Sequence, residues 1–156
     1  MEDNRDFMRQ AIVEAQAAIK AGNGPFGAVI VKNREVIAKA HNQVVQNHDA
    51  TAHSEIIAIT KACQKLKTHD LSGCEIYCTT EPCPMCFSAI HWAKIDKIIY
   101  GAGIEVPKKY GFNELDISNY KMRSLAKSKV DIEADFMISE CEKLFKDWKE
   151  SGNEVY

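Results

Sequence analysis

Apolar residues recur at helical spacing over residues 5–21, where Met8, Ile12, Ala15 and Ile19 mark one face and Gly22 supplies a stop. The pattern then changes period. "PFGAVIV" (25–31) and "EVIAKAHNQV" (35–44) are rich in β-formers and flank Lys-Asn-Arg, which predicts a hairpin. A polar stretch over 45–52 reads as loop. Helical spacing returns over 54–66 through Ile56, Ile59, Cys63 and Leu66. "CEIYCT" (74–79) predicts a short strand, "PMCFSAIHWAK" (84–94) a helix with Pro84 in its first turn, and "KIIYGAG" (97–103) a buried strand. Residues 104–115, with Pro107 and Gly111, read as loop, and 116–127 as a modest helix. "KVDIEADF" (129–136) alternates like an edge strand, and Ile138, Cys141, Phe145 and Trp148 mark a last helix ended by Gly152.

The order α-β-β-α-β-α-β-α-β-α predicts one five-stranded sheet with helices on both faces, in one domain spanning 1–156. Crossovers are expected to be right-handed, and the βα loops to gather at one sheet edge, where α/β proteins place their chemistry. Hydrophobic residues make up 46% and charged residues 27%, ordinary globular usage. A net charge of -2 gives no global attraction to nucleic acid or anionic membrane. The charged start, Met-Glu-Asp-Asn-Arg-Asp, does not resemble a secretory signal, and no apolar run reaches membrane-spanning length, so a cytoplasmic location is expected.

Six cysteines fall at 63, 74, 78, 83, 86 and 141. Without a secretion signal a disulfide framework is not expected, metal binding and simple burial are the competing readings, and Cys63 and Cys141 fit helical core positions. "EPCPMC" (81–86) differs: Cys83 and Cys86 are three apart at a helix start, so both sulfurs point one way. Free N–H groups and the positive helix end favour thiolates there, and thiolate binds zinc. Pro82 and Pro84 fix two backbone angles and aim the sulfurs. In "TAHSEIIAI" (51–59), His53 and Glu55 are two apart, which mid-helix would set them on opposite sides; they converge only at a helix entrance. His53, Cys83 and Cys86 then form a three-ligand zinc site. A fourth, open position would hold water, whose pKa falls to about 7 on catalytic zinc, and Glu55 is placed to accept its proton. A closed structural site completed by Cys74 or Cys78 is the alternative.

His53-Ser54-Glu55 with Pro82-Cys83-Pro84-Met85-Cys86 resembles the zinc deaminase pattern H-x-E…P-C-x-x-C. With "GPFGAVIV" and "EPCPMCFSAIHWA", the chain looks most similar to bacterial guanine deaminases of the cytidine deaminase-like superfamily. The resemblance implies a three-layer α/β/α fold, one zinc per subunit, a homodimer, and hydrolysis of guanine to xanthine and ammonia. It further implies substrate contacts: Phe26 stacking on a flat base, Asn42 meeting a purine edge, and the Glu81 carbonyl accepting from the leaving amino group. For the Glu81 side chain itself, solvation at the surface competes with a direct role. Trp92, six residues after Cys86, divides between pocket lining and packing, and His91 is taken as structural or interfacial. By resemblance, Glu114 in "GFNELD" stands where these enzymes carry an aspartate that assists proton movement, a departure in side-chain length. Tyr156 matches a tyrosine that reaches an active site, often a partner's through a swapped end segment. His41, His48 and His69 show no partner.

Rival readings share the zinc pattern or discard turnover. A deaminase of adenosine in transfer RNA is the nearest, and Lys108, Lys109, Lys121, Arg123, Lys127 and Lys129, against Glu114 and Asp116, form a patch that phosphates would suit. Another base or nucleoside, or an aminated triazine, is a third. A zinc-stabilised interaction module, with four protein ligands and no turnover, is the reading from a different class.

Overall fold

The computed structural model describes residues 3–156. Met1 and Glu2, part of the charged N-terminal stretch, lie outside the described residues. The first helix, α1 (Asn4–Lys20), is capped by Asp3, whose carboxylate accepts from Asp6 N–H at 3.0 Å while the Asp6 carboxylate accepts from Asp3 N–H at 3.0 Å. Such a reciprocal cap is worth about 1 kcal/mol. Phe7, Met8, Ala11, Ala15 and Ala18 form its buried face. Gly22, at φ +87°, turns the chain out.

Strands β1 (Gly27–Lys32) and β2 (Glu35–His41) pair antiparallel around Asn33 and Arg34, both left-handed, as a two-residue hairpin requires. The short helix α2 (Val44–Asn47) follows, in a stretch expected to be loop. The next elements are α3 (Ser54–Leu66), β3 (Cys74–Thr80), α4 (Pro84–Ala93) and β4 (Lys97–Ala102). The chain closes with α5 (Glu105–Lys109), α6 (Asn119–Ala126), β5 (Asp131–Glu133) and α7 (Ile138–Ser151). Pro107 marked the α5 region as loop, yet a proline in a first turn loses only an N–H that has no helical partner. The edge strand is three residues rather than eight, because Asp135 turns left-handed and Phe136 N–H bonds instead to the Tyr100 carbonyl.

The sheet order is β2-β1-β3-β4-β5, mixed: β1 is antiparallel to β2 and β3, while β3, β4 and β5 are parallel. Alternate residues feed two cores. Ala28, Ile30, Ile76, Cys78, Ile98 and Tyr100 meet Ala58, Ala62, Phe87 and Ile90 of α3 and α4 on one face. Val29, Val31, Tyr77 and Ile99 meet Phe7, Met8, Phe145 and Trp148 of α1 and α7 on the other. This is the three-layer α/β/α architecture of the cytidine deaminase-like fold. Helix α1 lies so close to β1 that a Cβ at Gly27 would overlap the Ala11 carbonyl. Among the described residues, no helix is long and apolar enough to cross a membrane.

Strand directions decide where chemistry collects. Gly27 pairs with His41, Ala28 with Cys78, and Thr80 with Ala102. The start of β1 and the ends of β2, β3 and β4 therefore share one edge, which brings Phe26, Asn42, Glu81 and Ile104 together.

Candidate metal centre and cleft

His53 is the N-cap of α3 (φ -71°, ψ 150°) and Cys83 the N-cap of α4, with Pro84 as its first helical residue. The two helices pack on the same face of the sheet, and their entrances meet at this edge. His53 Nδ1 lies 3.5 Å from Cys83 Sγ and 3.5 Å from Cys86 Sγ, and the three donor atoms fall within 4.8 Å of one another. Zinc bonds of about 2.05 Å to nitrogen and about 2.3 Å to sulfur at tetrahedral angles require an N···S separation of about 3.6 Å, so the donors fit that ion. Cys74 and Cys78 do not join the cluster; both are buried in β3, where burial pushes their thiols up.

Electrostatics support metal ligation. The Cys86 hydrogen bond, then the His53 bond and charge, outweigh burial and hold the Cys83 thiol near a pKa of about 4. Cys86 moves up, through the same Cys83 contact, burial and the Glu55 charge. Burial opposes the charged form of His53, but the Cys83 hydrogen bond and the Glu55 carboxylate outweigh it and raise its pKa. Glu55, 5% exposed, is raised by burial, with His53 pulling it back. Its Oε2 accepts from Cys86 Sγ at 3.2 Å, which puts the carboxylate beside the ligand cluster.

A cleft of about 430 Å³ opens onto this cluster. Of the expected site residues, Phe26, His53, Glu55, Glu81, Cys83, Glu114 and Tyr156 line it. Phe26 stands edge-on to Phe112 and Phe145 at 5.3 and 5.8 Å between centroids. Burial, and then the nearby Cys83 charge, push Glu114 up to about 7.

Tyr156 enters the cleft of its own chain. Its hydroxyl accepts from Asn42 Nδ2 at 2.6 Å, its carbonyl from Asn113 N–H at 2.9 Å, and its ring meets Phe112 edge-on at 5.1 Å. Asn153 Nδ2 anchors the tail by donating to the Ile19 carbonyl at 2.8 Å and the Asn23 carbonyl at 3.2 Å. Asn42 itself is fully buried behind Tyr156, with its carbonyl accepting from Val44 N–H at 3.2 Å.

Three expectations fare differently. Trp92 is 80% exposed on α4 and is not brought to the cleft: six residues carry a helix about 240° round, away from Cys86. The Glu81 side chain is not solvated but 5% exposed. His41 has a partner, Glu14, at 2.8 Å. Sequence reasoning missed Phe112, Asn113, Thr80 and Leu115 as lining residues; only the aromatic Phe112 beside Gly111 offered any signal.

A histidine and two cysteines at adjoining helix entrances, with a buried glutamate alongside, define the site of a zinc-dependent hydrolytic deaminase. The chain matches the cytidine and deoxycytidylate deaminase zinc-binding region over residues 1–102 and belongs to that family. It is 46% identical over 115 residues to a tRNA-specific adenosine deaminase of Aquifex aeolicus, covering 70% of this chain and 74% of that protein. It is 41% identical over 113 residues to a guanine deaminase of Bacillus subtilis, covering 72% of each. The solved guanine deaminase from Nitrosomonas europaea superimposes with a TM-score of 0.87 at 27% identity, over 96% of this chain and 86% of that one. The family match ends before Glu114 and Tyr156, so it characterises the metal centre and says nothing of the far wall of the cleft.

Proposed function

We propose that this chain deaminates a free purine base, with guanine and water giving xanthine and ammonia. The observation that carries the reading is Tyr156 inside the cleft, bonded to Asn42 and packed on Phe112. A wall at that position favours a bare bicyclic ring over one bearing ribose and a phosphate chain.

His53, Cys83 and Cys86 would hold zinc, which when bound acts as a Lewis acid and lowers the pKa of a water in the cleft. Glu55 takes one proton from the attacking water and delivers it to the ring nitrogen, then takes the second from the hydroxyl now on the ring carbon and delivers it to the amine, which leaves as ammonia as the carbonyl forms. Its raised pKa suits this role, since a buried carboxylate holds a proton more readily than an exposed one. Phe26 and Phe112 offer aromatic surfaces to the ring. With its acceptor side taken by Asn42, the Tyr156 hydroxyl is left to donate to an acceptor on the base. The Glu81 main-chain carbonyl accepts from the leaving amine, and Glu114, near neutral pKa, exchanges protons with the opposite edge.

The second reading, transfer RNA adenosine, draws on the 46% identical relative and on exposed Lys121, Lys127 and Lys129. Two of the other basic residues are otherwise engaged: Lys108 pairs with Asp116 at 3.1 Å, and Arg123 donates to the Val130 carbonyl at 3.3 Å and lies over the Tyr120 ring. Initial rates of ammonia release from guanine, guanosine, cytosine, an aminated triazine and an anticodon stem-loop separate the readings. Guanine should be turned over fastest and the stem-loop not at all; inosine in the stem-loop without release from guanine would reverse the assignment. A homodimer belongs to the same proposal, and an exchange of the last segment between its subunits would make the same Tyr156–Asn42 contact across the interface instead of within one chain.

A further inference from the structure

The chemistry above uses only the main-chain carbonyl of Glu81, yet its side chain is among the most constrained in the molecule. Oε1 accepts from Ile104 N–H at 2.9 Å and Oε2 from Asn119 N–H at 2.7 Å. Ile104 and Asn119 bracket the segment between β4 and α6. Phe112 and Glu114 lie on that segment and line the cleft. Fully buried Asn119 returns a bond, donating from Nδ2 to the Pro82 carbonyl at 2.7 Å, one residue before Cys83. Carboxylate, backbone, side-chain amide and ligand loop thus form a closed ring of contacts.

We infer that the Glu81 carboxylate is a positioning residue: it pins both ends of the 104–119 segment to the metal-ligand loop and so sets Phe112 and Glu114 over the cleft. The residue type follows from the donors it meets. Two acceptor-only oxygens serve two N–H groups fifteen positions apart in sequence. Glutamine offers one oxygen and one NH₂, which would face an N–H donor and leave it unpaired in a buried place. Aspartate, a methylene shorter, does not span the same gap.

The test uses the full zinc-loaded chain carrying Glu81→Gln, with zinc content, kcat/KM on the base turned over fastest, and backbone amide exchange across 104–119. Zinc content should not change, the amides of Ile104 and Asn119 should exchange about tenfold faster or more, and kcat/KM should fall about tenfold or more. Because Glu81 acts in part through Glu114, its effect should be smaller in a Glu114→Gln background than in the parent, with the part carried by Phe112 remaining, the non-additivity expected of coupled residues. Asn119→Ala, which cuts only the bond to Pro82, should give the same pattern more weakly. Unchanged amide exchange, zinc lost together with activity, or an equal loss in both backgrounds would overturn the inference. Should Glu114→Gln alone leave turnover untouched, the role proposed for Glu114 falls, while exchange, which needs no substrate, still decides the fate of the clamp.

Discussion

At the residue scale, position on a helix decides what each side chain can do. His53 and Glu55 serve one point only because His53 is the N-cap, outside the helical turn that carries Glu55. That convergence was legible only once the pair was set at a helix entrance, because a spacing of two within a helix would part them; the paired sulfurs of Cys83 and Cys86 followed from a spacing of three at a helix start. Trp92 shows the limit of such reading: an aromatic near a motif carries no information about which side of a helix it takes unless the rotation is counted. Glu114 leads to a prediction with a definite sign. Its folded pKa, about 7, exceeds the ordinary value of 4.5, so between these values the metal-free folded chain binds more protons than the unfolded chain. Stability from this group is present below pH 4.5 and lost as pH rises to about 7. In metal-free protein, Glu114→Gln should therefore gain stability relative to the parent as pH climbs through that window, read as urea midpoints. A difference constant across it would show that Glu114 is not buried as described.

At the element scale, periodicity served long elements and failed short ones. Helices α1, α3, α4 and α7 and the hairpin were readable because each has a face that must be buried, and burial leaves a repeat. Helices α2 and α5 have four and five residues, too few for a repeat, and β5 keeps only three of the eight residues that alternate. The tail could not be read from pattern at all. Its anchorage depends on Asn153 meeting the end of α1 and on Tyr156 meeting Asn42, contacts between residues more than a hundred positions apart. Removal of residues 152–156 should leave the thermal transition within a few degrees of the parent, since the segment meets only the rim of one core, through Tyr156, and every fully buried core residue stays in place. It should lower kcat/KM on guanine by about tenfold to a hundredfold, the order expected when a hydrogen-bonding wall is lost. Unchanged kinetics would make the tail irrelevant to turnover.

At the scale of the whole molecule, strand direction gathers the site. An antiparallel β1 between β2 and β3 places its start beside their ends, so residues from 26 to 156 meet at one edge. Sequence order suggested the sheet and that edge, and the metal cluster was found by motif; of the far wall, Glu114 and Tyr156 were named by resemblance, while Phe112, Asn113 and Leu115 were missed because they lie on an irregular segment that leaves no repeat. The metal centre and the buried glutamate are the parts on which every reading of turnover depends. The most direct test pairs metal analysis with ammonia release in Glu55→Gln. The variant should keep one zinc per chain and lose turnover by about 10²- to 10⁴-fold, as expected when a positioned acid–base is removed. Near-parent turnover with zinc retained would contradict the account.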